Sequence, residues 1–176
     1  ELLERLRARR FAVPAAVSAL AALAIVTWLQ LPHWRDSIAL FEHALAVTER
    51  NAVAHLQLGS AYLAAGDADA AERHYAQSAA IDPNPIPAQL GLADVRMQRG
   101  DLVGAITGYQ TVLRARPDDP LASGRYGVAL LRAGRAEQAR VALERSIAAH
   151  AGSPTQYAAL ADAYAASPEA RKWWDS

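Results

Sequence analysis

The chain has 176 residues, no cysteine, and 18 basic and 18 acidic side chains, so its formal net charge is zero. The absence of cysteine excludes disulfide bonds and thiolate-bound metals. An apolar fraction of 52%, rich in alanine, is typical of a helical chain with one small domain. The first residue is glutamate rather than methionine, and we expect the chain to be part of a longer protein.

A basic segment and a long apolar stretch come first. Residues 1–10 contain four arginines, and residues 11–31 are 21 consecutive residues without a charged side chain. As a helix rising about 1.5 Å per residue, this stretch would span about 31 Å, close to the hydrocarbon thickness of a bilayer. Trp28 and Trp34 lie near its end, as in an interfacial aromatic belt. The sequence therefore predicts a transmembrane helix over 11–31.

The arginines decide the orientation that we expect. Because basic residues flank membrane spans on the cytoplasmic side, residues 1–10 should be cytoplasmic and the rest of the chain should lie outside the inner or plasma membrane. Two alternatives are a cleaved signal peptide, whose apolar core would be shorter, and an alanine-rich soluble helix that caps the following domain.

Residues 35–51 predict an amphipathic helix that joins the span to the rest of the chain. Ile38, Phe41, Ala44, Leu45 and Thr48 recur at helical spacing and give it one apolar side. This helix has the pattern of the second half of the repeat that follows.

A 34-residue pattern fills residues 52–85, 86–119 and 120–153, and residues 154–166 begin a fourth unit. Small residues stand where two helices would cross closely, glycine stands in the turn, and proline follows the second helix. The aligned columns are Gly59, Ala93 and Gly127; Gly66, Gly100 and Gly134; Ala71, Ala105 and Ala139; Tyr75, Tyr109 and Leu143; Pro83 and Pro117. Each unit is a helical hairpin that must stack on its neighbours to bury its apolar face.

These columns resemble the tetratricopeptide repeat (TPR) family. The resemblance covers residues 35–166 and implies an all-α solenoid of about 3.5 repeats, here preceded by the predicted transmembrane helix. It also implies a scaffold that binds a protein or peptide in its concave groove. The predicted groove residues are Leu56, Ser60, Leu63, Leu90, Asp94, Met97, Arg125, Val128 and Arg132. The two arginines are candidate anchors in a mostly apolar groove; alternatively, these positions pack against neighbouring repeats or a missing domain.

No catalytic, cofactor or metal site is predicted. The five histidines form no HExxH motif and no pair three or four residues apart. Asp67 and Asp69 resemble a sugar-nucleotide motif, but they fall at a turn where a helix N-cap is expected. Four basic and two acidic side chains precede residue 32, which leaves 14 basic and 16 acidic ones after it. We therefore expect neither enzymatic activity of this chain nor binding of nucleic acid.

Residues 33–59 carry a second resemblance. They resemble the join between the last span and the repeats in membrane-embedded protein O-mannosyltransferase-like glycosyltransferases. The matching residues are Trp34, Ser37, Leu40, Phe41, Ala44, Leu45, Thr48, Asn51, His55, Leu58 and Gly59. In that family the catalytic residues belong to the multi-span part, so none is carried over to this chain.

Residues 167–176 form a C-terminal tail, since Ser167 and Pro168 interrupt the fourth unit. We expect Trp173 and Trp174 to pack as a cap on the last helices, with contact to a membrane or a partner as the alternative. The expected function is a membrane-anchored, extracytoplasmic interaction scaffold, the C-terminal part of a larger glycosyltransferase-like protein. Alternatives are a single-span TPR assembly factor and a soluble TPR adaptor with an apolar capping helix.

Overall fold

The computed structural model describes residues 37–149 and 153–166, which form eight α-helices and no strand. The helices, α1 to α8 in chain order, are Ser37–Val47, Ala52–Ala64, Ala68–Ile81, Ile86–Gln98, Leu102–Ala115, Pro120–Arg132, Ala136–Ala149 and Pro154–Ala165. Each helix packs against the next one along the chain, and α2 also packs against α4, as α6 does against α8. This arrangement confirms the predicted all-α solenoid of helical hairpins.

Several predictions concern other parts of the chain. The basic segment 1–10, the transmembrane helix 11–31 and the tail 167–176 with Trp173 and Trp174 lie outside the described residues. Within residues 37–149 and 153–166, no helix combines the length and the apolar character that crossing a membrane requires.

Helix α1 is shorter than the joining segment from which it was predicted. It ends at Val47, and Thr48 is exposed beyond it, with its hydroxyl donating a hydrogen bond to the Ala44 carbonyl. Arg50 then adopts a left-handed conformation with φ of 53°. This reversal directs the chain into α2, so Thr48 belongs to the turn and not to the apolar side of α1.

The 34-residue period is visible in the turns and helix ends. Gly66, Gly100 and Gly134 have φ of 86°, 79° and 75°, a conformation that glycine adopts without the steric cost of a Cβ. Aspartates follow the first two of these turns: the carboxylate of Asp67 accepts a hydrogen bond from the Ala70 amide, and that of Asp101 from the Gly104 amide, each at 2.9 Å. The predicted N-cap role of Asp67 is therefore confirmed.

The ring of Tyr75 holds the first two repeats at a fixed separation. It lies on α3, is 4% exposed, and faces Gly59 of α2 and Gly91 of α4. A Cβ added at Gly59 would lie 2.7 Å from the Tyr75 Cδ1 atom, and one added at Gly91 would lie 2.4 Å from the Cε1 atom. Tyr75 thus occupies space that exists because both positions are glycine.

A second core cluster extends through the later repeats. Its largest member is Tyr109, which is 1% exposed, and further members include Leu90, Ile106, Val112 and Leu130. Buried serines connect the two helices of a hairpin: the hydroxyl of Ser78 donates to the Ala52 carbonyl at 2.9 Å. Ser146 makes the equivalent bond to the Pro120 carbonyl 68 residues later, at 2.6 Å.

The packing of Tyr75 predicts whether the free energy of unfolding should rise or fall when either glycine is replaced by alanine. Gly59→Ala and Gly91→Ala should each lower the free energy of unfolding by about 1 to 3 kcal/mol, because the added methyl group overlaps the Tyr75 ring. In an unobstructed helix the same change raises stability by about 1 kcal/mol. Urea denaturation followed by circular dichroism measures the difference. The control, Gln57→Ala at an exposed position of α2, should change stability by less than about 0.5 kcal/mol. A Gly91→Ala variant as stable as the wild type would contradict this packing.

Candidate functional site

A polar network that includes two of the predicted groove residues joins three helices. Asp94 of α4 accepts a hydrogen bond from the Tyr109 hydroxyl of α5 at 2.7 Å and forms an ion pair with Arg125 of α6. The side chain of Asp94 is 17% exposed and that of Arg125 is 37% exposed. The network therefore connects the second repeat to the third through side chains that are partly withdrawn from solvent.

Burial and charge act in opposite directions on this carboxylate. Burial raises the pKa of Asp94, whereas the nearby charge of Arg125 and the hydrogen bonds from Tyr109 and Arg125 lower it. Burial also raises the pKa of Tyr109, and the negative charge of Asp94 raises it further, which keeps the phenol protonated as a donor. The arrangement is a satisfied structural network whose charges largely offset each other.

Among the described repeats, this network occurs at a single junction. In the repeat register, the pair Asp94 and Arg125 corresponds to Ser60 and Gly91 one repeat earlier and to Val128 and Ala159 one repeat later. Neither of these pairs contains a carboxylate or a guanidinium, and Asp162, which shares the register position of Asp94, lies in the last described helix. The contact between α4 and α6 is therefore chemically distinct from the equivalent contacts in the neighbouring repeats.

A cavity of about 300 Å³ opens beside the network. Its apolar walls come from Met97, Leu121 and Val128, and its cations are Arg125 and Arg132. Helix α8 closes one side with Thr155 and Gln156. One acidic and two basic residues line the cavity, so it combines apolar surface with a net positive charge.

The structure brings five of the nine predicted groove residues together. Asp94, Met97, Arg125, Val128 and Arg132 all line this cavity. Arg125, predicted as a candidate anchor, is already paired with Asp94, whereas the other candidate, Arg132, is exposed and takes part in none of the ion pairs found among the described residues.

The other four predicted groove residues lie elsewhere. Leu56 and Leu63 are partly buried against the core cluster around Tyr75, and Ser60 is exposed on α2. Leu90 is only 7% exposed and belongs to the core cluster around Tyr109. The packing of the second repeat takes its side chain into the core, as in the alternative in which these positions pack against neighbouring repeats.

Two residues of the site were missed. Tyr109 was assigned only to the core, yet its hydroxyl reaches Asp94; a tyrosine at a buried column is itself a signal, since its O–H needs a partner. Gln156 approaches because Gly124 has no side chain: a Cβ there would lie 1.9 Å from the Gln156 Nε2 atom. No local sequence pattern indicates this second contact, since it depends on how α8 stacks on α6.

A second cluster lies in the first repeat. The Nδ1 atoms of His55 on α2 and His74 on α3 are 3.1 Å apart, although the residues are 19 positions apart in the chain. Tyr62 stacks on the His74 ring with an interplanar angle of 6°, and its hydroxyl donates to Glu42 of α1 at 2.8 Å. Within residues 37–149 and 153–166, no group of three or more His, Cys, Asp or Glu side chains assembles as a metal site.

Burial keeps this histidine pair neutral over a wider pH range. Burial lowers the pKa of both imidazoles. The charges of His55 and Arg73 lower the pKa of His74 further, whereas that of Glu42 raises it. The neutral forms are therefore favoured where one nitrogen must accept a hydrogen bond from the other.

Comparison with known proteins gives a consistent family assignment. One tetratricopeptide repeat profile matches residues 62–124 and 96–164, and a second matches residues 29–84. No curated protein sequence matches the chain.

Solved structures show the same fold at low sequence identity. A thermophilic TPR protein of Thermus thermophilus is 20% identical, with a TM-score of 0.66 over 79% of this chain and 77% of that one. A crystal structure of MamA is also 20% identical, with a TM-score of 0.60 over 72% of this chain and 74% of that one. The C-terminal TPR-containing domain of a putative FK506-binding protein of Plasmodium falciparum is 17% identical, with a TM-score of 0.59 over 73% and 99% of the two chains.

The two groove arginines should differ in their effect on stability. Arg125→Met should lower the free energy of unfolding by about 1 to 3 kcal/mol, because it leaves the partly buried Asp94 carboxylate without its cation. Arg132→Met, on the same helix and facing the same cavity, should change it by less than about 0.5 kcal/mol. Urea denaturation of both variants measures the difference. Equal effects would contradict a stabilising role of the Asp94–Arg125 pair.

Proposed function

The chain belongs to the tetratricopeptide repeat family and is a protein–protein interaction scaffold, and on this premise we propose that the cavity between α4, α6 and α8 binds a peptide segment of a partner protein. The segment presents an aliphatic side chain next to an acidic one. The single observation that supports this is Arg132, a guanidinium outside the ion pairs of the described chain, beside the apolar surface of Met97, Leu121 and Val128.

The chemistry of the cavity favours this partner class over others. An aliphatic side chain would cover the apolar wall, which is otherwise open to water. An acidic side chain would meet the net positive charge of the lining and pair with Arg132, whose planar guanidinium binds carboxylates through two parallel hydrogen bonds. Arg125 contributes less, because Asp94 already offsets its charge.

We propose further that the repeats are held outside the cytoplasm by residues 11–31. The uncharged length of this stretch and the arginines that precede it support a membrane anchor with residues 1–10 in the cytoplasm. The single-span assembly factor shares this anchor, whereas in the soluble adaptor residues 11–31 would pack as a helix on the repeats.

We also propose that the parent protein is a membrane glycosyltransferase-like enzyme, whose acceptor proteins the repeats bind. This proposal is supported by the resemblance of residues 33–59 to the join in that family. The TPR-containing domain of the putative FK506-binding protein is likewise named as the C-terminal domain of a larger protein. Upstream membrane spans in the parent gene would favour the enzyme, and an immediately preceding start codon would favour the single-span factor.

Selection of peptides tests the groove. The full chain in mild detergent is used to select binders from a phage-displayed library of random peptides, and we expect selected sequences to pair an aliphatic residue with an adjacent aspartate or glutamate. A synthetic peptide of that sequence should bind Leu121→Glu and Arg132→Glu variants at least about tenfold more weakly, a loss of about 1.4 kcal/mol or more.

The matched control for the groove is Val103→Glu on α5. Val103 is 74% exposed and Leu121 is 50% exposed, so both substitutions place a carboxylate at an accessible apolar position, but only Leu121 lines the cavity. The control should bind the peptide as the wild type does. Selected peptides that bind the Leu121→Glu and Arg132→Glu variants unchanged would contradict the proposed site.

A topology reporter tests the anchor. A reporter that is active only outside the cytoplasm, fused after Ser176, should be active in the intact protein. Replacing Arg5, Arg7, Arg9 and Arg10 should reduce the active fraction, because these residues hold the preceding segment in the cytoplasm. The control replaces four arginines of the repeats with the residue that is used to replace Arg5, Arg7, Arg9 and Arg10. An inactive reporter on the intact, expressed protein would contradict an extracytoplasmic location.

A further inference from the structure

The histidine pair of the first repeat has the geometry of a shared ligand set. The Nδ1 atoms of His55 and His74 are 3.1 Å apart, and the ring centroids are 5.3 Å apart at an interplanar angle of 35°. Two helices of one hairpin thus direct the same type of nitrogen toward one another, and both rings are only partly buried. A small ion in solvent can therefore reach the pair.

The separation of the two nitrogens matches what a single metal ion requires. Zn²⁺ binds imidazole nitrogen at about 2.0 to 2.1 Å, so two such ligands lie roughly 2.9 Å apart at a right angle and roughly 3.4 Å apart at the tetrahedral angle. The observed distance falls between these limits. Without an ion, the same distance is that of a hydrogen bond in which one Nδ1–H donates and the other Nδ1 accepts.

We propose that His55 and His74 form a two-histidine site for a divalent transition metal of the zinc or copper type, bound through both Nδ1 atoms. Imidazole suits these ions, and water or a partner's side chain completes the coordination. On binding, the ring that carries its proton on Nδ1 takes the Nε2–H tautomer instead. The proton is exchanged through solvent, so both rings remain neutral and no proton is gained or lost overall.

The surrounding residues orient the pair. Tyr62 stacks on His74 with ring centroids 5.4 Å apart, and Glu42 accepts a hydrogen bond from the Tyr62 hydroxyl. Contacts from residues of α1 and α2 thereby fix the orientation of the His74 ring, which itself belongs to α3. Glu42 also adds a negative charge near the site, which favours a cation, and Arg73 opposes it. A bound ion would crosslink α2 to α3 and stabilise the first full repeat.

Zinc titration of the full chain tests this site. The protein carries no histidine tag and is first freed of metal with a chelator, and binding of ZnCl₂ is measured by isothermal titration calorimetry. We expect one ion per chain. His55→Gln and His74→Gln should each weaken binding by on the order of tenfold or more, since each removes one of two protein ligands. Circular dichroism shows whether the variants are folded.

A complementary variant retains His55 and His74 as its only histidines. The triple variant His33→Gln/His43→Gln/His150→Gln removes all three other histidines and should bind zinc as the wild type does. Zinc should also raise the melting temperature of this variant, because the ion binds the folded state. With Cu²⁺, its electron paramagnetic resonance spectrum should show coupling to imidazole nitrogen. Failure of the triple variant to bind either ion, or binding that survives a further His55→Gln change, would overturn the proposal.

Discussion

The close contact between the Tyr75 ring and two glycine backbones sets the separation of the first two repeats. Gly59 lies in the same hairpin as Tyr75 and Gly91 lies in the next, so one side chain determines both the packing within a repeat and the packing between repeats. In the third repeat Leu143 takes the corresponding place, where a Cβ on Gly127 would lie 2.7 Å from its Cγ atom. The stack depends on a large residue facing missing side chains, and the groove inherits its shape from that spacing.

Features that repeat locally could be predicted from the sequence. The turn glycines, the Asp67 cap and the buried tyrosine column are determined by residues within one hairpin, and the 34-residue period shows the glycine three times and the aspartate and the tyrosine twice each. The role of Gly91 could not be predicted, because the corresponding positions of the neighbouring repeats are Gln57 and Arg125. The three side chains therefore have no common size that would indicate close packing. The function of Gly91 arises from contact with a neighbouring repeat, which the period alone does not describe.

The candidate site shows the same limit. The period identified the positions of Asp94, Arg125 and Arg132, but whether two of them pair depends on the angle between α4 and α6. Leu90 was predicted in the groove for the same reason and is buried instead. The histidine pair could not be predicted from ligand spacing along one helix, because the turn of a hairpin brings His55 and His74 together from two helices. Contacts between helices can be identified only from the structure, whereas the helices themselves could be predicted from the sequence.

The Asp94–Arg125 pair has a mechanical consequence for the solenoid. An array of helical repeats bends through small rotations between neighbouring units. Because this ion pair bridges α4 and α6 beside the open cavity, moving these helices apart would stretch it, whereas moving them together would not. The junction between the second and third repeats should therefore be stiffer toward opening than toward closing. Salt screens partly exposed charges and should therefore weaken the resistance of this junction to opening. The ease with which the groove widens between the second and third repeats should thus depend on ionic strength.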